Sequence, residues 1–158
     1  MGRKYLSAPR ERGFTAIEIM IVVLIVGILA AIAAPNMAAM IRNQRVKTAT
    51  FDIFSSLTFA RSEAVKRNTT VTLTPNSAST DWAKGWVITD ANGNVLKTEN
   101  DRKLTAAELV FTGPTSVVYA RSGRLGGAAA AFSLTATSGT STFTRCINVN
   151  LSGRPATC

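Results

Sequence analysis

The chain has 158 residues, 46% of them hydrophobic, with 18 basic and nine acidic side chains and a formal net charge of +9. It contains no histidine, which excludes Ser/His and Cys/His nucleophile pairs and histidine-bearing zinc sites. The length fits one modest domain plus an extension, and H-E-x-x-H, G-x-x-x-x-G-K-[ST] and G-x-G-x-x-G motifs are all missing, so no enzyme, metal site, cofactor or small-molecule substrate is expected.

The first 13 residues, MGRKYLSAPRERG, are short, polar and basic, with no apolar core of their own. By the positive-inside tendency such a head stays in the cytoplasm and sends the C-terminal part of the chain across the membrane. Residues 14–158 still carry 14 basic and eight acidic side chains, a balance of +6 that suits polyanions such as DNA or anionic lipid. Phe14 to Ala34 is a nearly unbroken apolar run of 21 residues. As a helix it would be about 31 Å long, close to the thickness of a bilayer's hydrocarbon core.

One residue in that run needs a reason. Glu18 is an acid in a segment apolar enough to span a membrane, where insertion of a charge near the centre costs about 2.5–3.5 kcal/mol, less at the edge. A secretory signal, a plain anchor and a segment that uses the acid are the competing readings. The AIA at 31–33 after an apolar core supports the first, and Glu18 counts against it. Glu18 lies four residues past Phe14 and therefore on the same helical face. A cut before Phe14 would place a new amino group near this carboxylate or near its copy in another subunit.

Pro35 lacks a backbone donor and crowds the preceding turn, so a kink is expected there, at the end of the span. Beyond it, over 35–68, Ile53, Phe54, Leu57, Ala60, Ala64 and Val65 recur at steps of three and four. Arg61, Glu63, Lys66 and Arg67 fall mostly off that stripe, which predicts an amphipathic helix ending near Asn68 and packed on a sheet.

From residue 69 the chain becomes rich in Thr, Val and Ser in short alternating runs. Strands are predicted at 70–74, 85–90, 95–99, 108–112, 116–120, 131–136 and 144–150, with a hairpin turn in DANGN at 90–94. The fold class is therefore α+β, a long N-terminal helix against an antiparallel β domain over 69–158. Cys146 and Cys158 either pair outside the reducing cytoplasm or remain free thiols. If bonded, they close a loop worth about 3 kcal/mol by chain entropy and pin the segment carrying Arg154. Trp82, Trp86 and Tyr119 are residues that stack on bases or fill a core.

The stretch RGFTAIEIMIVVLIVGILAAIAAP resembles the leader and N-terminal helix of type IV pilins and type II secretion pseudopilins. The later segments ARSEAVKRN, DWAKGWVITD and RCINVNLSGRPATC resemble the FimT/FimU/GspH group of minor pilins and pseudopilins. The resemblance implies a pilin-like fold and a prepilin peptidase that cuts between Gly13 and Phe14 and methylates the Phe14 amine. It also implies that Glu18 neutralises a neighbour's N-terminus during assembly. The implied partners are other major and minor pilins in the bacterial inner membrane and then in the filament. The function implied is a minor pilin that initiates or caps a type IV pilus, with a type II secretion pseudopilin as the alternative. The cysteine pair favours the pilus, since secretion members of the group often lack it.

Some members of the group bind double-stranded DNA through a C-terminal G-R-x-R motif. Gly153 and Arg154 match it, Ala156 stands at the second arginine position, and Arg145, Arg121 and Arg124 are the remaining candidate phosphate contacts. The competing reading makes Arg154 a solvated turn residue.

Overall fold

Residues 13–77, 80–100, 109–138 and 141–158 are described by the computed structural model, with the side chains of 33–36 and 138 excepted. The leader, apart from Gly13, lies outside the described residues, and the kink expected at Pro35 falls on 33–36, whose side chains are not described. The chain divides into two units, 1–37 and 38–158.

Helix α1, Ala16–Arg67, begins in the first unit. Apart from Glu18, its opening turns are apolar on every side, and Ile17, Met20, Val23, Leu24 and Leu29 are all exposed. A helix that is hydrophobic all round is stable only when lipid or other protein surrounds it. No single helix among the described residues is long and apolar enough to cross a membrane, but Ala16–Ile32 taken together with Met37–Arg67 passes by length and composition.

In the second unit, α1 buries Val46, Ala49, Ile53, Leu57, Ala60 and Ala64, at steps of three and four. The stripe thus starts earlier than the sequence pattern suggests, while Val65 is exposed and Phe54 only half-buried. Glu63 is also buried, against its expected place off the stripe. It lies seven residues past buried Ser56, two full turns along the same face. Its hydrogen bond from Arg67 holds the carboxyl below the usual range; burial works against this and Lys66, 3.5 Å away, adds to it. The helix ends at Asn68 with φ +51°, where Thr69 N–H donates to Ala64 O and Asn68 N–H to Val65 O. This is the left-handed cap that asparagine tolerates.

The β-rich part of the chain has eight strands: β1 Val71–Pro75, β2 Gly85–Asp90, β3 Val95–Asn100, β4 Leu109–Thr112, β5 Val117–Tyr119, β6 Ala130–Ser138, β7 Ser141–Val149 and β8 Pro155–Thr157. They form two four-stranded antiparallel sheets, in the orders β3-β2-β1-β5 and β4-β6-β7-β8. Seven of them match predicted runs to within a few residues, and β8 was not anticipated. In the β2–β3 turn Asp90 Oδ1 accepts from Asn92 N–H and Asn94 N–H, both at 2.9 Å, and Gly93 takes φ +81°. The Asn94 side-chain hydrogen bond is the main reason the Asp90 carboxyl lies below its usual range.

Both sheets contribute to one core. Trp82 meets Phe132 edge-on at 4.9 Å between ring centroids, with Trp86 at 6.2 Å and Phe111 at 6.4 Å. The buried indole N–H of Trp82 donates to Pro114 O at 2.9 Å. Trp82, Trp86 and Tyr119 are all buried, so none offers a face for base stacking.

Candidate functional site

The sequence-predicted site residues lie in three places. The first is the start of α1. Phe14 is 79% exposed, and Thr15 acts as the N-cap, its Oγ1 accepting from Glu18 N–H at 3.3 Å. Ile19 N–H closes the first turn onto Thr15 O at 3.3 Å. Thr15 to Glu18 is a T-x-x-E sequence, a recognised start signal for a helix, and it places Glu18 at the third helical position, where the positive end of the helix dipole favours a carboxylate. Thr15 is not among the residues singled out from the sequence, although this spacing announces it.

The second place joins two loops. In the β7–β8 loop Gly153 N–H donates to Asn150 O at 2.8 Å, and Asn150 Oδ1 accepts from Ser152 Oγ and from Arg154 N–H. Gly153 has φ +78°, and a Cβ there would lie 2.0 Å from Gly123 O. Only glycine permits so close a backbone approach. Leu125 N–H donates to Leu151 O at 3.2 Å, and Arg61 Nε reaches from α1 to Gly123 O at 3.0 Å. Arg121 and Arg124 therefore stand on one loop and Arg154 on the loop sealed to it. All three are exposed, and none has an ion pair among the described residues. Neither 116–128 nor 150–158 contains an acid. Tyr119 packs beneath Gly153, and burial pushes its hydroxyl up to about 12, with the charge of Arg61 opposing.

Arg145 does not join this group, contrary to the expectation from sequence. It sits on β7 four residues before Val149, about 13 Å along the strand from the end that carries the Arg154 loop. Alternation also puts it on the same side of β7 as buried Ile147 and Val149, towards α1, where it borders Lys47, Phe51 and Phe54.

Cys146 and Cys158 form a disulfide with Cα atoms 5.5 Å apart, and Cys158 N–H donates to Cys146 O at 3.3 Å. The bond fastens edge strand β8, which pairs with β7 at only three positions. Ala156 lies on β8 opposite Asn148 and is exposed.

Residues 49–153 match the family model described as Type II transport protein GspH, and residues 8–34 match the prokaryotic N-terminal methylation motif. The chain belongs to the GspH family. Over 28 residues this GspH-family chain is 79% identical to the Type IV major pilin protein PilA of Myxococcus xanthus (strain DK1622). That stretch covers 18% of the chain, which spans only 13% of the length of this curated relative.

Two crystal structures of the type IV minor pilin FimU of Pseudomonas aeruginosa (strain PAO1) share the fold. One has a TM-score of 0.59 at 21% identity, covering 73% of this chain and 89% of that one. The other has a TM-score of 0.57 at 20% identity, covering 71% and 91%. The GspH-family chain is thus a type IV pilin-like or pseudopilin-like protein with the pilin fold. The methylation motif and the apolar helix fit membrane anchoring and incorporation into a pilus.

Proposed function

We propose that this chain is a minor pilin that helps initiate or cap a type IV pilus. Prepilin peptidase cuts between Gly13 and Phe14 and methylates the new amine. Before assembly the chain sits once through the bacterial inner membrane, N-terminus in the cytoplasm and β domain in the periplasm. The observation that carries this reading is the start of α1. An uncovered apolar run begins at Phe14, and the single acid between Phe14 and Ala34, Glu18, lies one turn in. Such a surface needs lipid before assembly and neighbouring helices after it. Mass analysis of the mature N-terminus tests it, with N-methylated Phe14 as the expected first residue and a start at Ala34 as the contrary outcome. The family description over 49–153 supports one alternative, a pseudopilin of type II secretion.

A second property rests on the two sealed loops. Arg121, Arg124 and Arg154, on two loops that carry no acid, supply a cationic surface suited to the phosphates of double-stranded DNA, and Arg121 and Arg124 supply positive charge that Ala156 does not. For the full chain in detergent micelles, DNA affinity should fall with salt and be largely independent of sequence. Each of the three arginine-to-alanine changes should flatten the log–log salt slope by about 0.9. Arg145→Ala should leave the slope unchanged. Failure to bind at low salt would end this reading.

A further inference from the structure

The face bordered by Arg145 is a surface in its own right. Lys47, Phe51 and Phe54 succeed one another along α1 at steps of four and three, so they share a helical face. Together with Thr50, Arg145 and Thr157 they line a groove of about 520 Å³ between the helix and the β7–β8 margin. Its floor is apolar. Phe51 is 70% exposed, Phe54 is half-buried against the core, and Thr50 turns its hydroxyl back to Val46 O at 2.7 Å, which leaves its methyl group for the groove. Two cations flank the floor, and neither Lys47 nor Arg145 has an ion pair among the described residues. An exposed aromatic between two unpaired cations matches a segment that presents an apolar side chain beside a carboxylate.

We propose that this groove docks an acidic, apolar-tipped segment of a different pilin-type subunit. By its described residues, a second copy of the chain is a poor source of that segment. Among the described residues past Glu18, Glu63 is held by Lys66 and Arg67, Asp90 by Asn94 and Glu99 by Lys97, while Asp81 accepts from Ala83 N–H and Asp52 has a partner. Residues 14–158 carry a balance of +6, so two copies also repel. A nucleic-acid backbone brings the charge but no apolar side chain for the floor. Arg145, at the middle of β7, stands about 13 Å along the strand from the end that carries the Arg154 loop, so DNA and this partner are drawn to different cations.

The proposal rests on the reading of the chain as a filament subunit, and the two can fail separately. The test titrates the full chain, in detergent micelles, against each of the other pilin-type subunits of its source cell purified in the same detergent. One of them should bind, more weakly as salt rises. Lys47→Glu combined with Arg145→Glu should lower that affinity about tenfold or more, and reversing the carboxylate on the partner should restore it. Phe51→Ser should weaken binding without changing its salt dependence, and Lys47→Gln with Arg145→Gln provides a milder pair if the double reversal misfolds. Binding by no subunit, binding unchanged in these variants, or stronger binding to a second copy or to anionic phospholipid vesicles would overturn the proposal. An unmethylated N-terminus starting elsewhere than Phe14 would instead defeat the filament reading and leave this titration to stand on its own result.

Discussion

A Glu18→Ala chain is expected to enter the membrane as readily as the wild type and to be lost from filaments. Insertion should not suffer, because removing an acid from an apolar span lowers the cost of entering the bilayer. Helix formation should suffer little. Glu18 stands at the third helical position, where a carboxylate contributes about 0.3–1 kcal/mol through the helix dipole. The Thr15 hydroxyl that accepts from Glu18 N–H is untouched by the change. What disappears is the only negative charge between Phe14 and Ala34. In a filament core, the Phe14 amine of a neighbouring subunit would then be a desolvated cation without a partner, and breaking a buried pair by removing one member costs about 3–5 kcal/mol. Thr15→Ala separates capping from assembly: it removes the cap and keeps the charge, so incorporation should persist.

Trp82→Ala is expected to be the most destabilising single change in the β-bearing unit. The side chain is fully buried among Trp86, Phe111 and Phe132, in contact with both sheets. Deleting a buried tryptophan costs about 3–5 kcal/mol, and here it also strands Pro114 O, the acceptor of the indole N–H. For a unit of this size the melting temperature should fall on the order of 10–20 °C. Thermal unfolding of the full chain in micelles, followed by near-ultraviolet circular dichroism, reads this directly. A fall of only about 3 °C would mean that the two sheets do not share this core. DNA affinity measured well below the melting point should not move, because the indole is beneath the surface.

The features visible in the sequence were those that local chemistry dictates. The apolar run from Phe14 and the three-and-four stripe through Ile53, Leu57, Ala60 and Ala64 announce α1, and Asn68 ends it in the left-handed conformation its side chain tolerates. Asp90 and Gly93 announce the β2–β3 turn in the same way. The missed features depend on contacts between distant residues. Strand β8 has three residues and begins with proline, too little for a period of two to register, and it exists because β7 and the disulfide hold it. The seal between Gly123 and Gly153 joins positions 30 apart, which no local pattern encodes. Arg145 groups with Arg154 by nearness in sequence, but an extended strand carries nearby residues far apart. Strand alternation fixes which face a residue occupies and not which strand lies beside it, so the division into two sheets had to come from the structure.

The most direct test of the central claim is an immunoblot of filaments sheared from cells that carry either the wild-type chain or Glu18→Ala, with membrane fractions probed in parallel. The expected result is equal amounts in the two membrane fractions, with the wild type present in the sheared fraction at levels well below the main subunit and Glu18→Ala missing from it. Glu18→Ala present in filaments at the wild-type level would contradict an assembly role for this carboxylate.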